Sequence, residues 1–389
     1  MNVFIKMHEE NKINSWIAAI ILCFPIINAT IGINGSSVIT LLFICFLCLL
    51  GILRNEFRIK SSVIILVSYI LIIFCISFMR LDNWNRTMSY LMYFIVFDII
   101  AYLAGIQNIS EVETMQNMQR IGIICLVVLT LRGMEHLDSG HLMGLSYSFL
   151  PVLFSSVIFI EKSSLGIAIV NIFLISWHLI KIAPRGVLLA ITFFIAWCVF
   201  YKLCFIKNKR QRVATKILWI VIAGGVCLVI IMNLNEIILG IGTFLSDTFG
   251  IKIYALEKYA SYLKKGNLSN GRDILFNQAY MIIKDNFLFG NGIGYFETVT
   301  NGSYVHNIFL QALCEAGVFF LIPICVIIVK SVFRLIFSAG VMGYVKYLFY
   351  VMSVTCGLVS LFYSSVYWIL IYFWFFLGYS FTSNKQISS

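Results

Sequence analysis

The side chains best suited to chemistry are concentrated in one polar stretch, residues 270–317, set between long apolar runs. They are Arg272, Asp273, Tyr304, His306 and Asn307. His306 and Asn307 open one of the apolar runs. A histidine at a helix N-terminus faces the positive end of the helix dipole, so its ring stays neutral and can accept a proton. A histidine at the membrane interface beside an asparagine cap explains the same pair without any chemistry.

Arg272 falls in the first turn of a predicted helix that begins at an Asn270 cap and ends at about Asp285. Asp273 stands three residues after Asn270, the position of an acidic N3 residue. The helix dipole stabilises negative charge at this end and does not stabilise an arginine, so we expect another group to bind the guanidinium. A snorkelling side chain or a salt bridge to a carboxylate is the alternative interpretation.

A second arginine, Arg185, lies in a very short polar connection, residues 181–186, between two apolar runs. Pro184 restricts the backbone beside it. Alone, Arg185 is typical of an interfacial anchor. Together, Arg185 and Arg272 would place two guanidinium forks on one membrane face, a donor geometry that suits a diphosphate.

The glycines of residues 290–294 resemble a phosphate-binding loop, but no strand precedes them and Tyr295 occupies the place of the third glycine. We therefore predict a tight turn. The 11 cysteines fall almost entirely within apolar runs, which argues against a disulfide framework and a zinc site. No Asp-x-Asp motif is present, so we expect neither a metal nor another cofactor.

The composition is that of an integral membrane protein, with 61% hydrophobic and 12% charged residues and a mean hydropathy of +0.95. About twelve apolar runs approach the length of about 17 to 25 residues that crosses a bilayer. The first has no cleavage pattern and is predicted to be retained, and the fifth is too short to span unaided. The runs are 16–33, 38–53, 63–79, 88–103, 121–131, 142–160, 165–180, 187–206, 217–234, 307–329, 344–362 and 365–381.

The distribution of lysine and arginine predicts that both termini are cytoplasmic and that residues 242–305 form one long extracytoplasmic loop. Residues 251–266 of that loop are predicted to form a helix in the membrane surface. The net charge of +11 then reflects membrane topology, and nucleic acid is not an expected partner. With no repeat or linker, residues 1–389 are predicted to be a single all-α transmembrane domain.

A family resemblance rests on the order of these motifs. An outer Arg-Gly precedes a long outer loop with SNGR, NFLFGNGIGYF and YVHN, and His306-Asn307 is followed after nine residues by Gly317. This order resembles the O-antigen polymerase and O-antigen ligase superfamily. The chain departs from it at Phe320, where ligases have Gly, Thr or Val. Ala196 and Ile283 also stand where an Arg-x10-Gly pattern of some polymerases has glycine.

The resemblance implies a GT-C-like, inverting glycosyltransferase of the bacterial inner membrane, with its active site facing the periplasm. The donor would be a glycan on undecaprenyl diphosphate, and membrane lipids and a chain-length regulator protein would be further partners. Arg185 and Arg272 would bind the diphosphate, and His306 would orient or deprotonate the acceptor. Tyr304 and Asn307 would contact substrate. Two guanidinium groups and one base suffice for such a reaction, because a diphosphate is already a good leaving group.

Three alternatives stay open. The compact spacing before His306 and the residue Phe320 favour a polymerase over a ligase, which would transfer the glycan to lipid A core. A flippase or other transporter would also have about twelve spans, but transporters carry ionisable groups at mid-membrane, and this chain has chiefly Asp98. Packing and function are equal interpretations of Asp98. A purely structural assembly partner would not need the outer arginines.

Overall fold

The structure, a computed structural model, describes residues 2–31, 61–81, 84–132, 139–159, 165–182, 185–201, 271–337, 342–362 and 366–382, with a few isolated positions between 240 and 248. Within these ranges the chain is helical and contains no strand. The predicted spans 38–53 and 217–234 and the predicted surface helix 251–266 lie outside the described residues. The protein is a helical membrane protein, as its composition predicts.

Fourteen α-helices occur in the described ranges, and five stretches are long and apolar enough to cross a membrane: Lys12–Ile31, Ser61–Arg80, Asn85–Ile106, Glu111–Arg132 and Ile308–Phe337. The twelve-span count and the orientation stay predictions. The helices are α1 (Asn2–Ile31), α2 (Ser61–Arg80), α3 (Asn85–Tyr93), α4 (Ile99–Ile106), α5 (Glu111–Arg132), α6 (Ser139–Ser148), α7 (Leu150–Phe159), α8 (Leu165–Ile182), α9 (Arg185–Tyr201), α10 (Arg272–Asp285), α11 (Tyr295–Val299), α12 (Ile308–Phe337), α13 (Tyr344–Gly357) and α14 (Ile371–Thr382).

The helix that contains the fifth apolar run is longer than the run itself. Helix α5 begins at Glu111 and has 22 residues, because its polar first half is buried among neighbouring helices. Gln119 donates to the carbonyl of Ser155 at 2.9 Å, and Asn171 donates to the carbonyl of Gln119 at 3.0 Å. A hydropathy scale underestimates the length of this span, because it scores buried polar groups that have hydrogen-bond partners as if they were exposed to water.

The predicted spans 142–160, 344–362 and 365–381 are interrupted rather than continuous. The run 142–160 divides into α6 and α7, two residues before Pro151, which has no amide hydrogen to continue the first helix. After α13 ends at Gly357, a 3₁₀ turn covers Val359–Phe362. A second 3₁₀ turn, Tyr367–Ile369, precedes α14, so the last two apolar runs are each a helix joined to a tighter turn.

Contacts between helix ends show which ends lie together. Arg132 donates to the carbonyl of Thr30 at 3.1 Å, so α1 and α5 end side by side. Asn14 donates to the carbonyl of Asn108, so α4 ends beside the start of the apolar stretch Lys12–Ile31 of α1, opposite Thr30. Helix α3, which runs into α4, therefore starts at the end where α1 and α5 finish. We call this end of the bundle the loop end.

Between α3 and α4 lies a π-helical segment, Phe94–Asp98, whose last residue is fully buried. Aromatic rings pack at the start of the segment: the Phe94 ring lies 5.1 Å from the Trp374 ring and 6.3 Å from the Trp368 ring. Within the part of the chain that the structure describes, neither carboxyl oxygen of Asp98 has a hydrogen-bond partner. Asp98 is thus a buried acidic group in an apolar region of the bundle.

Candidate functional site

Helix α10 confirms the predicted place of Arg272 in the first turn of a helix that ends at Asp285. It begins at Arg272 and ends at Asp285, and Arg272 is its first residue. The predicted cap was wrong by one residue: Gly271, with φ 79°, is the N-cap, and its carbonyl accepts the amide of Leu275 at 3.3 Å. A glycine serves here because the position needs a left-handed backbone.

The loop after α10 docks on a break in α12. Gly317 has non-helical angles, φ 66° and ψ −156°, which leaves nearby helix carbonyls without their usual amide donors. The loop supplies the donors: the amide of Asn291 bonds the Cys314 carbonyl at 2.7 Å, and the amide of Gly292 bonds the Glu315 carbonyl at 2.8 Å. The predicted tight turn of the glycine-rich loop is therefore present, and its backbone completes the hydrogen bonding of a broken helix.

Two glycines make this docking possible. A Cβ at Gly290 would lie 2.4 Å from the Glu315 carbonyl, and a Cβ at Gly317 would lie 2.3 Å from the carbonyl of Leu288. The nine residues between Asn307 and Gly317 form about two and a half helical turns. His306 therefore directly precedes a short helical segment, the part of α12 before Gly317, and the docked loop fixes the far end of that segment.

The same loop is anchored to α2 and α3. The guanidinium of Arg80 donates to the carbonyl of Gly290. The amide of Ile293 bonds the Ser77 hydroxyl at 3.0 Å, and the hydroxyl of Thr87 donates to the Ile293 carbonyl at 2.6 Å. These contacts bring the start of α12 to the loop end of the bundle, beside the end of α2 and the start of α3.

The structure brings Tyr304 and His306 together, with ring centres 4.0 Å apart. His306 has φ 57°, a left-handed conformation uncommon outside glycine. Burial raises the pKa of Tyr304, and the positive charge of Arg272 opposes that rise, which places the first residue of α10 in electrostatic range of the pair. Three of the predicted site residues thus share one region.

Asn307 has a structural task. Its side-chain oxygen accepts the amides of Phe309 at 2.9 Å and Leu310 at 3.2 Å, so it caps the start of α12. The capping interpretation of Asn307 is confirmed. Substrate contact by its remaining amide hydrogens stays a prediction.

Arg185 is the first residue of α9. A 3.0 Å contact between the Thr130 hydroxyl and His178 Nε2 holds the end of α8 beside the end of α5, and so at the loop end. Helix α9 follows α8 after two residues, so its start lies at the loop end too. The side chain of Arg185 is outside the described residues, and its meeting with Arg272 and His306 stays a prediction.

A buried carboxyl network beside His306 was not predicted. The amide group of Gln311 donates to Glu297 Oε1 at 3.0 Å and to Glu315 Oε1 at 2.5 Å, and the Tyr90 hydroxyl donates to Glu297 Oε1 at 3.2 Å. The Gln311 oxygen accepts the amide of Val305 at 3.4 Å. The network therefore reaches the residue that lies between Tyr304 and His306.

The far side of the network is aromatic. Glu315 Oε2 accepts hydrogen bonds from the Tyr367 hydroxyl and, at 2.7 Å, from Trp368 Nε1. The buried ring of Phe320 stacks on Trp368 with centres 5.6 Å apart. The residue at which this chain departs from the ligase pattern thus closes the apolar side of the network.

One sequence signal points to this network. Gln311 and Glu315 stand four residues apart in an otherwise apolar run, so they share a helix face, and polar groups inside a span mark functional sites by default. Glu297 gave no such signal. Burial raises the pKa of Glu297, while its hydrogen bonds and the charge of Arg86 oppose the rise.

Among the described residues, no three His, Cys, Asp or Glu side chains are grouped as a metal site. Comparison with family models, curated proteins and solved structures gives no match to this chain. The resemblance therefore rests on the motifs alone, and the geometry of the loop end is the further observation that bears on function.

Proposed function

We propose that this protein is an inverting glycosyltransferase that polymerises a polysaccharide, moving a glycan from undecaprenyl diphosphate to a lipid-linked repeat unit. One observation carries the proposal: Tyr304, His306 and the charge of Arg272 converge at the loop end. These residues belong to the motifs of the family resemblance, yet they come from two separate segments. A docked loop and a helix break fix their positions.

In the proposed reaction, an acceptor hydroxyl oxygen attacks the anomeric carbon of the donor sugar from the face opposite the diphosphate. The new carbon–oxygen bond forms as the bond to the diphosphate oxygen breaks, which inverts the anomeric centre. His306 takes the hydroxyl proton. Arg272 and Arg185 neutralise the negative charge that collects on the departing lipid diphosphate.

The local structure supports a fixed position for His306. Two backbone amides at the start of α12 bond the Asn307 side chain, which fixes the residue that follows the histidine. The buried Gln311 network holds the adjacent backbone in place and limits the reorganisation that proton transfer would need.

The experiment that tests this function is His306→Ala in the organism's own cells, read out on lipopolysaccharide gels. A base acting on the acceptor contributes about 10²- to 10⁴-fold to rate, so polymer should disappear. A separate ligase would still transfer single repeat units, so we expect core plus one unit and no ladder. Ser303→Ala, an exposed change three residues away, is the matched control and should keep the ladder.

Two results would overturn the proposal. Bare core with polymer accumulating on undecaprenyl diphosphate would identify a ligase, because polymerisation precedes transfer to the core. An unchanged ladder at normal protein level would remove His306 from the mechanism.

A transporter is the second candidate function, favoured by one observation. Asp98 is fully buried at the end of a π-helical segment, and such segments are frequent at functional sites. A carboxyl group inside a bundle is also typical of proton-coupled transport. Loss of a flippase would leave bare core, with single lipid-linked units retained on the cytoplasmic side, and that result separates it from a polymerase.

A further inference from the structure

A polar cleft lies at the loop end, between the start of α3 and the short helix α11. Its volume is about 270 Å³, and it is lined by Asn85, Arg86, Ser89, Glu297 and Thr298. The lining supplies one guanidinium, one carboxyl, one amide and two hydroxyl groups. None of the predicted site residues contributes to it, so the cleft is separate from the Tyr304 and His306 pair.

The Arg86 side chain packs against two glycines of the loop. A Cβ at Gly294 would lie 2.8 Å from Arg86 Cγ, so the arginine stem rests directly on the loop backbone. A Cβ at Gly302 would lie 3.5 Å from Arg86 Nη2. The side chain is exposed, and within the described ranges its guanidinium forms neither a hydrogen bond nor an ion pair. A held cation with unused donors is thus presented at the cleft.

Glu297 adds an unused acceptor. The residue is 2% exposed, and both of its recorded donors, Tyr90 and Gln311, bond the same oxygen, Oε1. Its other oxygen, Oε2, is buried and has no hydrogen-bond partner in the described part of the chain. An unsatisfied buried carboxyl oxygen costs about 1 to 3 kcal/mol, so a donor that reaches it would be favoured.

The cleft is close to the proposed reaction centre. Gly302, beside the Arg86 guanidinium, is four residues from His306. Four residues span at most about 14 Å even when fully extended. A short oligosaccharide with one sugar in the cleft can therefore reach His306 with a neighbouring sugar.

We propose that the Arg86 cleft is a carbohydrate subsite that binds one sugar of the repeat unit through its hydroxyl groups. A sugar hydroxyl is both a donor and an acceptor, so it can accept a hydrogen bond from Arg86 and donate one to Glu297 Oε2. Ser89 and Thr298 supply the same dual chemistry on the cleft walls. The assignment deepens the proposed function and rests on it for the identity of the sugar.

The test measures saccharide binding without transfer. The probe is a fluorescently labelled oligosaccharide of two repeat units, released from the cell's own polysaccharide and free of lipid diphosphate. Binding to the full-length protein in lipid nanodiscs is followed by fluorescence polarisation. Arg86→Gln removes the guanidinium but keeps part of the stem, and Ser89→Leu fills the cleft from an exposed position.

We expect Arg86→Gln to weaken probe binding by about tenfold or more, the value of one hydrogen bond to a charged group. We expect Ser89→Leu to weaken binding to a similar degree, because the leucine side chain occupies the space of the sugar. Lys284→Gln removes an exposed positive charge elsewhere in this part of the chain and should leave binding unchanged. Wild-type affinity in both Arg86→Gln and Ser89→Leu would overturn the subsite, as would a wild-type protein that does not bind the probe.

The two proposals fail separately. His306→Ala should abolish transfer, and whatever probe binding it retains should still depend on Arg86. If the ladder survives His306→Ala but probe binding still depends on Arg86, the subsite stands and the transfer mechanism falls. If the ladder is lost with His306→Ala but Arg86→Gln binds like wild type, the subsite alone is refuted.

Discussion

Two buried acidic regions in the described part of the chain differ in what surrounds them. At the loop end, three of the four carboxyl oxygens of Glu297 and Glu315 accept hydrogen bonds. In the π-helical segment, neither oxygen of Asp98 accepts one from any described residue. A buried carboxyl group is tolerated best where hydrogen-bond donors replace water. The comparison indicates a fixed polar framework at the loop end that the described residues do not provide around Asp98.

The donors at the loop end come from distant parts of the chain. Tyr90 lies in α3, Gln311 in α12, and Tyr367 and Trp368 in the 3₁₀ turn before α14. Assembling them requires that the loop, the helix break and the last apolar run are all in place. The predictions below test two points. The first is that function at the loop end depends on that assembly, and the second is that function does not depend on the carboxyl group of Asp98.

The largest effect is expected from Gly317→Ala. The new Cβ would lie 2.3 Å from the Leu288 carbonyl, and φ 66° is unfavourable for alanine, so the loop should detach and the network should lose its frame. We expect polymer synthesis to be lost and proteolysis within residues 286–303 to increase. The matched control is Gly343→Ala, where φ is −59° and a Cβ meets nothing within 4 Å. Equal protease resistance in both variants would contradict the docking account.

The second effect is chemical and should spare the fold. Arg272→Lys keeps the charge but cannot make a planar, two-pronged contact to phosphate oxygens. Loss of such a contact at a reacting centre costs about 10²- to 10³-fold in rate, which gel analysis of polymer would register at unchanged protein level. Lys284→Arg, in the last turn of the same helix, is the control. Full activity of Arg272→Lys would return Arg272 to an anchoring role.

The sequence predicted elements that depend on local patterns. The end of α10 and the capped start of α12 at Asn307 follow from apolar periodicity and a cap residue, whereas the cap of α10 is Gly271 and not the predicted Asn270. It could not predict the break at Gly317, because a glycine inside an apolar run is also compatible with a continuous helix. Sequence analysis did not identify Glu297 and Arg86 as site residues for a related reason. Their place in the site comes from long-range contacts between α3 and α11, which no local pattern encodes.

Glu315→Gln tests the framework with a smaller change. Three donors point at this carboxyl, from Gln311, Tyr367 and Trp368. A glutamine places an NH₂ group against one or more of them, which leaves a buried donor unsatisfied at a cost of about 1 to 3 kcal/mol. We expect a lower thermal midpoint and activity that persists at low temperature. A midpoint equal to wild type would show that the carboxyl does not organise the loop end.

The smallest effect is expected from Asp98→Asn. A protonated aspartic acid and an asparagine are both neutral and nearly equal in shape, so the exchange should change stability by less than about 1 kcal/mol and leave the polysaccharide ladder intact. Asp98→Leu, which adds volume to a fully buried site, should cost more, about 1 to 3 kcal/mol from overpacking. Thermal midpoints of the three proteins in one detergent, together with the ladder, provide the measurement.

The contrast between Asp98→Asn and Glu315→Gln is sharper than either change alone, because both replace a buried acid by its amide. If hydrogen-bond donors decide the outcome, the amide should be harmless in the π-helical segment and harmful at the loop end. A ladder lost in Asp98→Asn at normal protein level would mean that this carboxyl exchanges protons or carries charge during function. That result would favour the transporter, since a glycosyltransferase with its reaction centre at His306 has no step that uses a buried carboxyl group at the end of the π-helical segment.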